Sequence, residues 1–550
     1  MTALFYHPEA YTLSGPRLMG RHAAGTSFAR GLLQHSRSGP FWVQVEQDGQ
    51  ERGFVALARQ LGRKEDIHVV PKAQLGALQQ AGTVYHPGPS IGPQARWRSL
   101  FRHNAWSLCG ITHTTSSARA MDAIAEWLTA PVQPWDSVIC TSLAVKQHVL
   151  RILQAEADHL RQRLGAQRMV LPMLPVIPLG IHTKDFAFDA AQRARARVRL
   201  GVPDDTLVVL FMGRLSFHAK AHPLAMYQAL ELAAQRTGQS VLLVECGWHA
   251  NEPIAKAFAD AARQAAPSVR TLSLDGREAA ERDAAWAGAD VFCSLSDNIQ
   301  ETFGLVPIEA MAAGLPVVVS DWDGYRDTVR DGVDGFRVPT WLPPAGSGRD
   351  LAWRHAAEID TYDMYCGHTC SVVGVDIDAT ALAFERLFAS PALRQQMGAA
   401  GRERARSLYD WAHIIPQYEA LWDEQDRLRQ AQPEQSPGLR PWAARMDPFD
   451  SFAHYATHVL NAQTRLRLRD ATLAQALQQL EARMSLVMVQ FAHETLPTKE
   501  EAQAMLGCVA DGAHSLEALL ALAAPGRRHV LARGVGWLIK LGLLQATPLE

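Results

Sequence analysis

The chain has 550 residues, 47% of them hydrophobic and 20% charged. That is too long for one core, since single cores stop growing near roughly 250–300 residues, and too apolar for a disordered or fibrous chain. A formal net charge of -2 provides no global field for a polyanion such as nucleic acid. Seven cysteines, an odd number lying mostly in apolar runs, predict buried thiols in a reducing compartment.

The start, MTALFYHPEAYTLSG, lacks a basic segment followed by a long apolar one and does not read as a signal peptide. No run of about 18 uninterrupted apolar residues predicts a spanning helix. A cytoplasmic protein is expected, with peripheral contact at the inner membrane face left open. The segment GPRLMGRHAAGTSFARGLL places Gly15, Gly20 and Gly25 ahead of a helix as a glycine-rich loop, without the dinucleotide fingerprint that would imply a cofactor. From there to about Ile181, PFWVQVE, DIHVV, GTVYH, SLCGIT and SVICTS alternate with helical stretches, which predicts parallel βα units. Residues 95–106, ARWRSLFRHNAW, mix arginine with aromatics and read either as a contact for membrane or acceptor or as a solvated amphipathic surface.

Between the two halves VIPLGIHTKDFAFDAAQRARARVRLGVP carries a turn and a basic helix ending at Gly201, the expected hinge. TLVVLFMGR, SVLLVEC, VRTLSL, ADVFCSL and LPVVVSD then repeat the βα pattern, so the fold class is α/β with two doubly wound domains facing a cleft. Residues from about Trp341 to Val375 are poor in periodicity and read as an insertion or a family-specific loop. Within them Cys366, His368 and Cys370 lie close, but no second ligand pair at zinc spacing accompanies them. Asp376 or Asp378 suits the N-cap of ATALAFERLFA. The predicted domains are 1–185, 186–430, a proline-rich polar linker 431–449, and a helical accessory module 450–550 resembling a winged-helix domain in part. From Gln435 onward that module has eleven Lys or Arg against ten Asp or Glu. Balanced charge argues against nucleic acid and for contact with a protein partner or an acceptor.

The most informative segment is ETFGLVPIEAMAAGLPVVVS, residues 301–320. Pro307 suits a first helical turn, Gly314 a C-terminal cap, and PVVVS a buried strand. The backbone of Thr302, Phe303, Gly304 and Leu305 then lies at a helix N-terminus, whose free N–H groups and partial positive charge suit a diphosphate. Glu301 and Glu309 bracket the turn as acceptors for sugar and ribose hydroxyls. Either also reads as an ordinary acid beside a helix start.

Residues 291–337, VFCSLSDNIQETFGLVPIEAMAAGLPVVVSDWDGYRDTVRDGVDGFR, resemble the donor-site signature of glycosyl transferases group 1, a retaining GT-B family. The resemblance implies sugar transfer from a nucleotide-diphosphate sugar to an acceptor hydroxyl on a glycan, lipid or small molecule, with no metal and no other cofactor. A second element, LFMGRLSFHAKAHPLAM, places Gly213 at a strand end and carries the family's diphosphate-binding cations onto Arg214 and Lys220. Lys220 lies one residue later than the commonest spacing, and Asp323-Gly324-Tyr325-Arg326-Asp327 stands where two glycines and a glutamate are usual. In the first domain the resemblance carries an active-site histidine onto His113, at the end of SLCGITHTTSS. It therefore implies catalytic roles for Glu301, His113, Arg214 and Lys220, and donor binding by Glu309, Thr302, Phe303, Gly304, Leu305, Gly213 and Gly25. Asp321-Trp322-Asp323 and Asp376-Ile377-Asp378 are not expected to bind metal. The alternatives are a degenerate sugar- or nucleotide-binding scaffold and an epimerase or phosphorylase on the same fold.

Overall fold

The computed structural model describes residues 2–11, 20–433, 442–512, 514–521 and 523–547. Gly15, part of the expected glycine-rich loop, lies outside the described residues.

The apolar runs of the first half become β1 (Thr2–Phe5), β2 (Phe41–Val45), β3 (Ile67–Pro71), β4 (Thr83–Tyr85), β5 (Ser107–Ile111) and β6 (Ser137–Ile139). They form one parallel sheet in the order β3-β2-β1-β4-β5-β6. The second half repeats the plan with β7 (Leu207–Met212), β8 (Val241–Gly247), β9 (Arg270–Asp275), β10 (Val291–Ser294), β11 (Val317–Ser320) and β12 (Gly335–Val338). Their order is β12-β11-β10-β7-β8-β9, again all parallel. Central strands buried on both faces are rich in Val and Leu because helices cover each side. In both sheets the chain reverses its direction of growth beside the first strand, the place where open α/β sheets hold ligands at their carboxyl ends.

Two chain crossings join these halves, and they lie side by side. Ile181 and Asp410 form a parallel bridge, and the Asp410 carboxylate accepts from the Thr183 hydroxyl at 2.5 Å and the Thr183 N–H at 3.1 Å. Asp410 also caps helix Trp411–Gln430, accepting from the Ala412 N–H at 2.9 Å. That helix, late in the chain, returns to the first sheet. Trp411 is wedged between Gly31 and Gly180, where a Cβ would come within 2.5 Å of the indole, and its Nε1 donates to Ser27 Oγ at 2.8 Å. Farther along, the Gln425 amide donates to the Leu108 and Trp135 carbonyls. One cluster of buried side chains thus runs from Leu4 and Val43 through Ile181 and Trp411 to Leu210 and Ile308. Helix Ala190–Arg199, in the segment between the two sheets, starts with a capping box formed by Asp189 and Gln192.

In the arginine-aromatic segment Arg98 is fully buried in a bidentate pair with Asp136 at 2.6 and 2.8 Å and Trp106 is core, while Leu100 stays exposed. Asp136 is further satisfied by the Leu108 and Gln133 N–H groups, the extra bonds that let a buried pair persist. Two expectations need correcting here. Gly25 is not in a loop but inside helix Gly20–His35, where a Cβ would lie 1.9 Å from the Ala10 carbonyl oxygen. It permits the close packing of that helix on Pro8–Tyr11 and has no free backbone N–H to offer a donor. Residues 341–375 are not an aperiodic loop. They leave and return through β13 (Thr340–Trp341) paired antiparallel with β14 (Gly374–Val375), and between these lie helices Arg349–Ala356 and Tyr362–Cys370.

All seven cysteines are free thiols, and six of them are buried. Among the described residues no helix is long and apolar enough to cross a membrane. Residues from Trp442 onward form a separate compact unit. Its helices Leu473–Met484, Lys499–Ala510, Leu516–Ala521 and Arg528–Lys540 surround Leu466, Leu480, Leu506, Val535 and Leu538. A two-stranded antiparallel sheet of β15 (Arg465–Leu468) and β16 (Leu544–Thr547) closes it.

Candidate active site

β7 ends at Met212, and Gly213 follows with φ of +143°, a conformation that L side chains rarely adopt. The turn it opens carries Arg214 and Lys220 around to the segment after β10. Arg214 donates from Nη2 to the Ala219 carbonyl at 2.6 Å and to the Gln300 side chain at 3.1 Å. Lys220 forms an ion pair with Glu301. Burial, the largest single influence on Lys220, opposes its charge, but Glu301 and Tyr325 together outweigh it and hold the ammonium pKa above its usual value. Burial likewise works against Glu301; Lys220 and the Thr302 and Phe303 N–H groups overcome that and keep its carboxyl below the usual range. Both side chains are mostly covered, at 21% and 12% exposure, so the pair is much less screened than a surface one.

Next to this pair helix Leu305–Ala313 begins. Its N-cap, Gly304, has φ of +82°, and a Cβ there would lie 2.0 Å from the Tyr325 ring. Tyr325 is itself buried and exchanges a hydrogen bond with Ser294 Oγ at 2.9 Å. A Cβ on Gly324 would in turn meet Phe303 Cα at 2.4 Å. Two glycines and one buried ring therefore set the path of the turn. No side chain caps the helix, which leaves the first-turn N–H groups of Gly304 and Leu305 for an anion. The Phe303 side chain is core, so only its backbone serves the turn. Glu309, half-buried on the same helix, accepts no hydrogen bond from the protein among the described residues, and burial pushes its carboxyl up to about 7 against the pull of Lys220 and Arg282.

The two domains meet at this turn. Thr302 Oγ1 donates to the His113 carbonyl at 2.9 Å, which brings the end of β5 against the turn before the helix. Behind it, Asp327 accepts from the Leu143 N–H at 2.7 Å at the start of helix Leu143–Leu164, and Ser142 Oγ lies 3.5 Å from Asp323. The Asp-Gly-Tyr-Arg-Asp departure from the family pattern is thus a docking element: a carboxylate from one domain meets the positive helix end of the other. Asp323, with φ of +45°, is pushed well up by burial and by Glu301 and Asp327.

The structure accordingly brings Gly213, Arg214, Lys220, Glu301, Thr302, Gly304, Leu305 and Glu309 around one helix start, with the His113 backbone against it. Gly25 stands apart. Sequence reasoning missed Gln300, which holds Arg214, and Asp327. It also missed Tyr362, whose hydroxyl contacts Ser116 Oγ at 2.9 Å and Thr114 Oγ1 at 3.2 Å; the one local signal was Thr361, which caps that helix. His368 pairs with Asp360 at 3.1 Å, whereas Cys366 and Cys370 are buried and the Cys370 thiol contacts the Phe217 and His218 carbonyls.

Residues 192–342 match the family model of glycosyl transferases group 1. The whole arrangement is the GT-B fold. A D-inositol 3-phosphate glycosyltransferase of Xylanimonas cellulosilytica is 32% identical over 216 residues, covering 38% of this chain and 48% of its own. One of Nocardioides is 29% identical over 404 residues, covering 70% and 74%. A phosphatidyl-myo-inositol mannosyltransferase of Mycobacterium tuberculosis is 29% identical over 251 residues, covering 45% and 53%. The chain thus aligns with about half the length of the first and third of these relatives. Among solved structures, Anabaena HepE in complex with UDP has a TM-score of 0.51 at 16% identity, over 77% of this chain and 99% of that one. That likeness is one of fold.

Proposed function

We propose that this chain is a retaining glycosyltransferase that moves a sugar from a nucleotide-diphosphate sugar to an acceptor hydroxyl of a carbohydrate or lipid-linked acceptor, without a metal ion. The observation that carries the reading is the convergence of Arg214, Lys220 and an uncapped helix start on one turn, with carboxylates on either side of it. The diphosphate leaves with growing negative charge, and a guanidinium, an ammonium and amide dipoles already in place take that charge without reorganising. They supply the positive charge that a divalent ion supplies elsewhere.

In this state Lys220 and Glu301 neutralise each other. An arriving diphosphate gives Lys220 a second anion, which releases one Glu301 oxygen for a sugar hydroxyl, while Glu309 takes the ribose. The acceptor hydroxyl attacks on the face from which the diphosphate departs, so the anomeric configuration is kept. His113 touches the sugar or relays a proton. The relatives named for transfer to inositol phosphate and phosphatidyl-myo-inositol support a polyol hydroxyl as acceptor.

The test is release of nucleotide diphosphate from a panel of nucleotide sugars, chosen by which of them raises the melting temperature. Arg214→Ala and Glu309→Ala should each lower kcat/KM by about a hundredfold or more while the free protein still melts in a cooperative transition. Near-normal rates in both variants refute the assignment. Tight binding of a nucleotide sugar with neither transfer nor hydrolysis identifies a binding scaffold instead.

A further inference from the structure

The family match stops at residue 342, where the excursion between β13 and β14 begins. That excursion is nonetheless tied into the site. Its second helix, Tyr362–Cys370, packs on the turn that carries the two cations: a Cβ on Gly367 would lie 3.0 Å from His218 Cβ, and the Cys370 thiol faces the Phe217 and His218 carbonyls. The excursion is also braced internally. Asp360 is bidentate with Arg354 and contacts His368, and His355 stacks on Tyr365 with 4.1 Å between ring centres.

From this base Tyr362 reaches the other domain. Its hydroxyl contacts both Thr114 Oγ1 and Ser116 Oγ in the loop that follows His113. The loop between them is held from its own domain, because Thr115 Oγ1 lies 2.8 Å from His148 Nδ1. Thr302 holds the His113 carbonyl from the second domain. The loop therefore has two attachments across the cleft, one from the family's own turn and one from the excursion.

We propose that Tyr362 is a positioning residue: the excursion is a strap across the cleft, and the Tyr362 hydroxyl latches the His113 loop so that the site closes over the sugar and water is kept from it. The inference rests on the glycosyltransferase reading but concerns residues outside the family match. A loose latch gives a specific error, because water competes with the acceptor hydroxyl for the same anomeric carbon: the carbon–oxygen bond to the diphosphate breaks, the nucleotide diphosphate leaves, and water supplies the new hydroxyl and a proton. A residue needed only for folding lowers transfer and hydrolysis together.

The experiment compares wild type, Tyr362→Phe and Tyr362→Ala in the full chain. It measures transfer and donor hydrolysis in parallel, acceptor KM, thermal unfolding, and amide hydrogen exchange across residues 113–117. In Tyr362→Phe the ring stays and two hydrogen bonds are lost, so the ratio of hydrolysis to transfer should rise about tenfold and acceptor KM should rise with little change in kcat. Exchange in residues 113–117 should increase, and Tyr362→Ala should exceed Tyr362→Phe in every readout. The double variant Thr114→Val/Ser116→Ala should match Tyr362→Phe, and combining the two should add little. An unchanged ratio with unchanged exchange overturns the latch, as does a parallel fall of both rates with a lower melting temperature. If wild type neither transfers nor hydrolyses any nucleotide sugar, the functional reading fails, and the exchange comparison alone decides whether Tyr362 holds the loop.

Discussion

Half-buried in the first turns of its helix, Glu309 accepts no hydrogen bond among the described residues, and burial pushes its carboxyl up to about 7. In the role proposed for it, Glu309 below that pH is protonated and would offer a ribose hydroxyl a weaker acceptor. Above it the carboxylate accepts fully, and binding of the donor lowers its pKa further because the ligand prefers the charged form. Donor affinity should therefore increase as pH rises from 6 to 8, by several-fold. The diphosphate of a nucleotide sugar does not titrate in that window, so the slope belongs to the protein. Calorimetry on Glu309→Gln separates the cause: the variant should bind more weakly and lose most of the pH slope, and an undiminished slope assigns the effect to another group such as Asp297, which burial also pushes up to about 7. Folding stability responds with the opposite sign. A carboxyl raised from 4.5 to about 7 in the folded state favours the fold below pH 4.5, and this contribution is lost as pH rises through 7. The charged form that the proposed role requires thus carries a stability cost at neutral pH.

The turn before helix Leu305–Ala313 is where conformation rather than charge decides. Gly304 has positive φ and no room for a Cβ against the Tyr325 ring. Gly304→Ala should cost about 2–4 kcal/mol of stability, from left-handed strain and the clash together. It should weaken donor binding at least tenfold, because the first-turn N–H groups move. Normal melting and normal donor affinity in Gly304→Ala would mean that the turn is not held as described. This element was legible in the sequence because each local rule agreed: glycines at both caps, an early proline, an apolar strand after Gly314. Asp376, accepting from the Ala379 N–H, was legible for the same reason. Arg98 was not, since its partner Asp136 lies 38 residues on and an Arg-rich amphipathic segment reads alike whether solvated or paired. Gly25 was misread because a lone glycine marks a loop or a tight helix contact equally well. The helices of 349–370 are short and held by distant groups, Asp360 and the 217–218 carbonyls among them, so periodicity had too few turns in which to show.

At the scale of the molecule, the chain builds its cleft by folding back on itself, and then begins again. Helix Trp411–Gln430 returns to the first sheet, so the linkage between the two sheets passes twice through the bridge of Ile181 and Asp410. Two adjacent crossings restrict how the two sheets can move relative to each other more than a single one would. The unit from Trp442 onward is organised differently. Its first strand, β15, pairs with its last, β16, from Arg465 opposite Thr547 to Leu468 opposite Leu544, which ties the two ends of the unit together over its own core. Thr472 and Thr498 cap its helices, Thr498 in a capping box with Glu501, and Glu501 is bidentate with Arg527. A segment with its own core, caps and end-to-end strand pairing meets the conditions for folding alone. Residues 442–550 expressed by themselves should therefore show helical circular dichroism and one cooperative thermal transition, with stability on the order of 5 kcal/mol. Ending the same fragment at Gly542 removes β16 and exposes the Leu466 side of the core, so the cooperative transition should disappear. A full fragment that melts without cooperativity would refute this independence, and a truncated one that melts like the full fragment would show that strand closure is not what holds the unit.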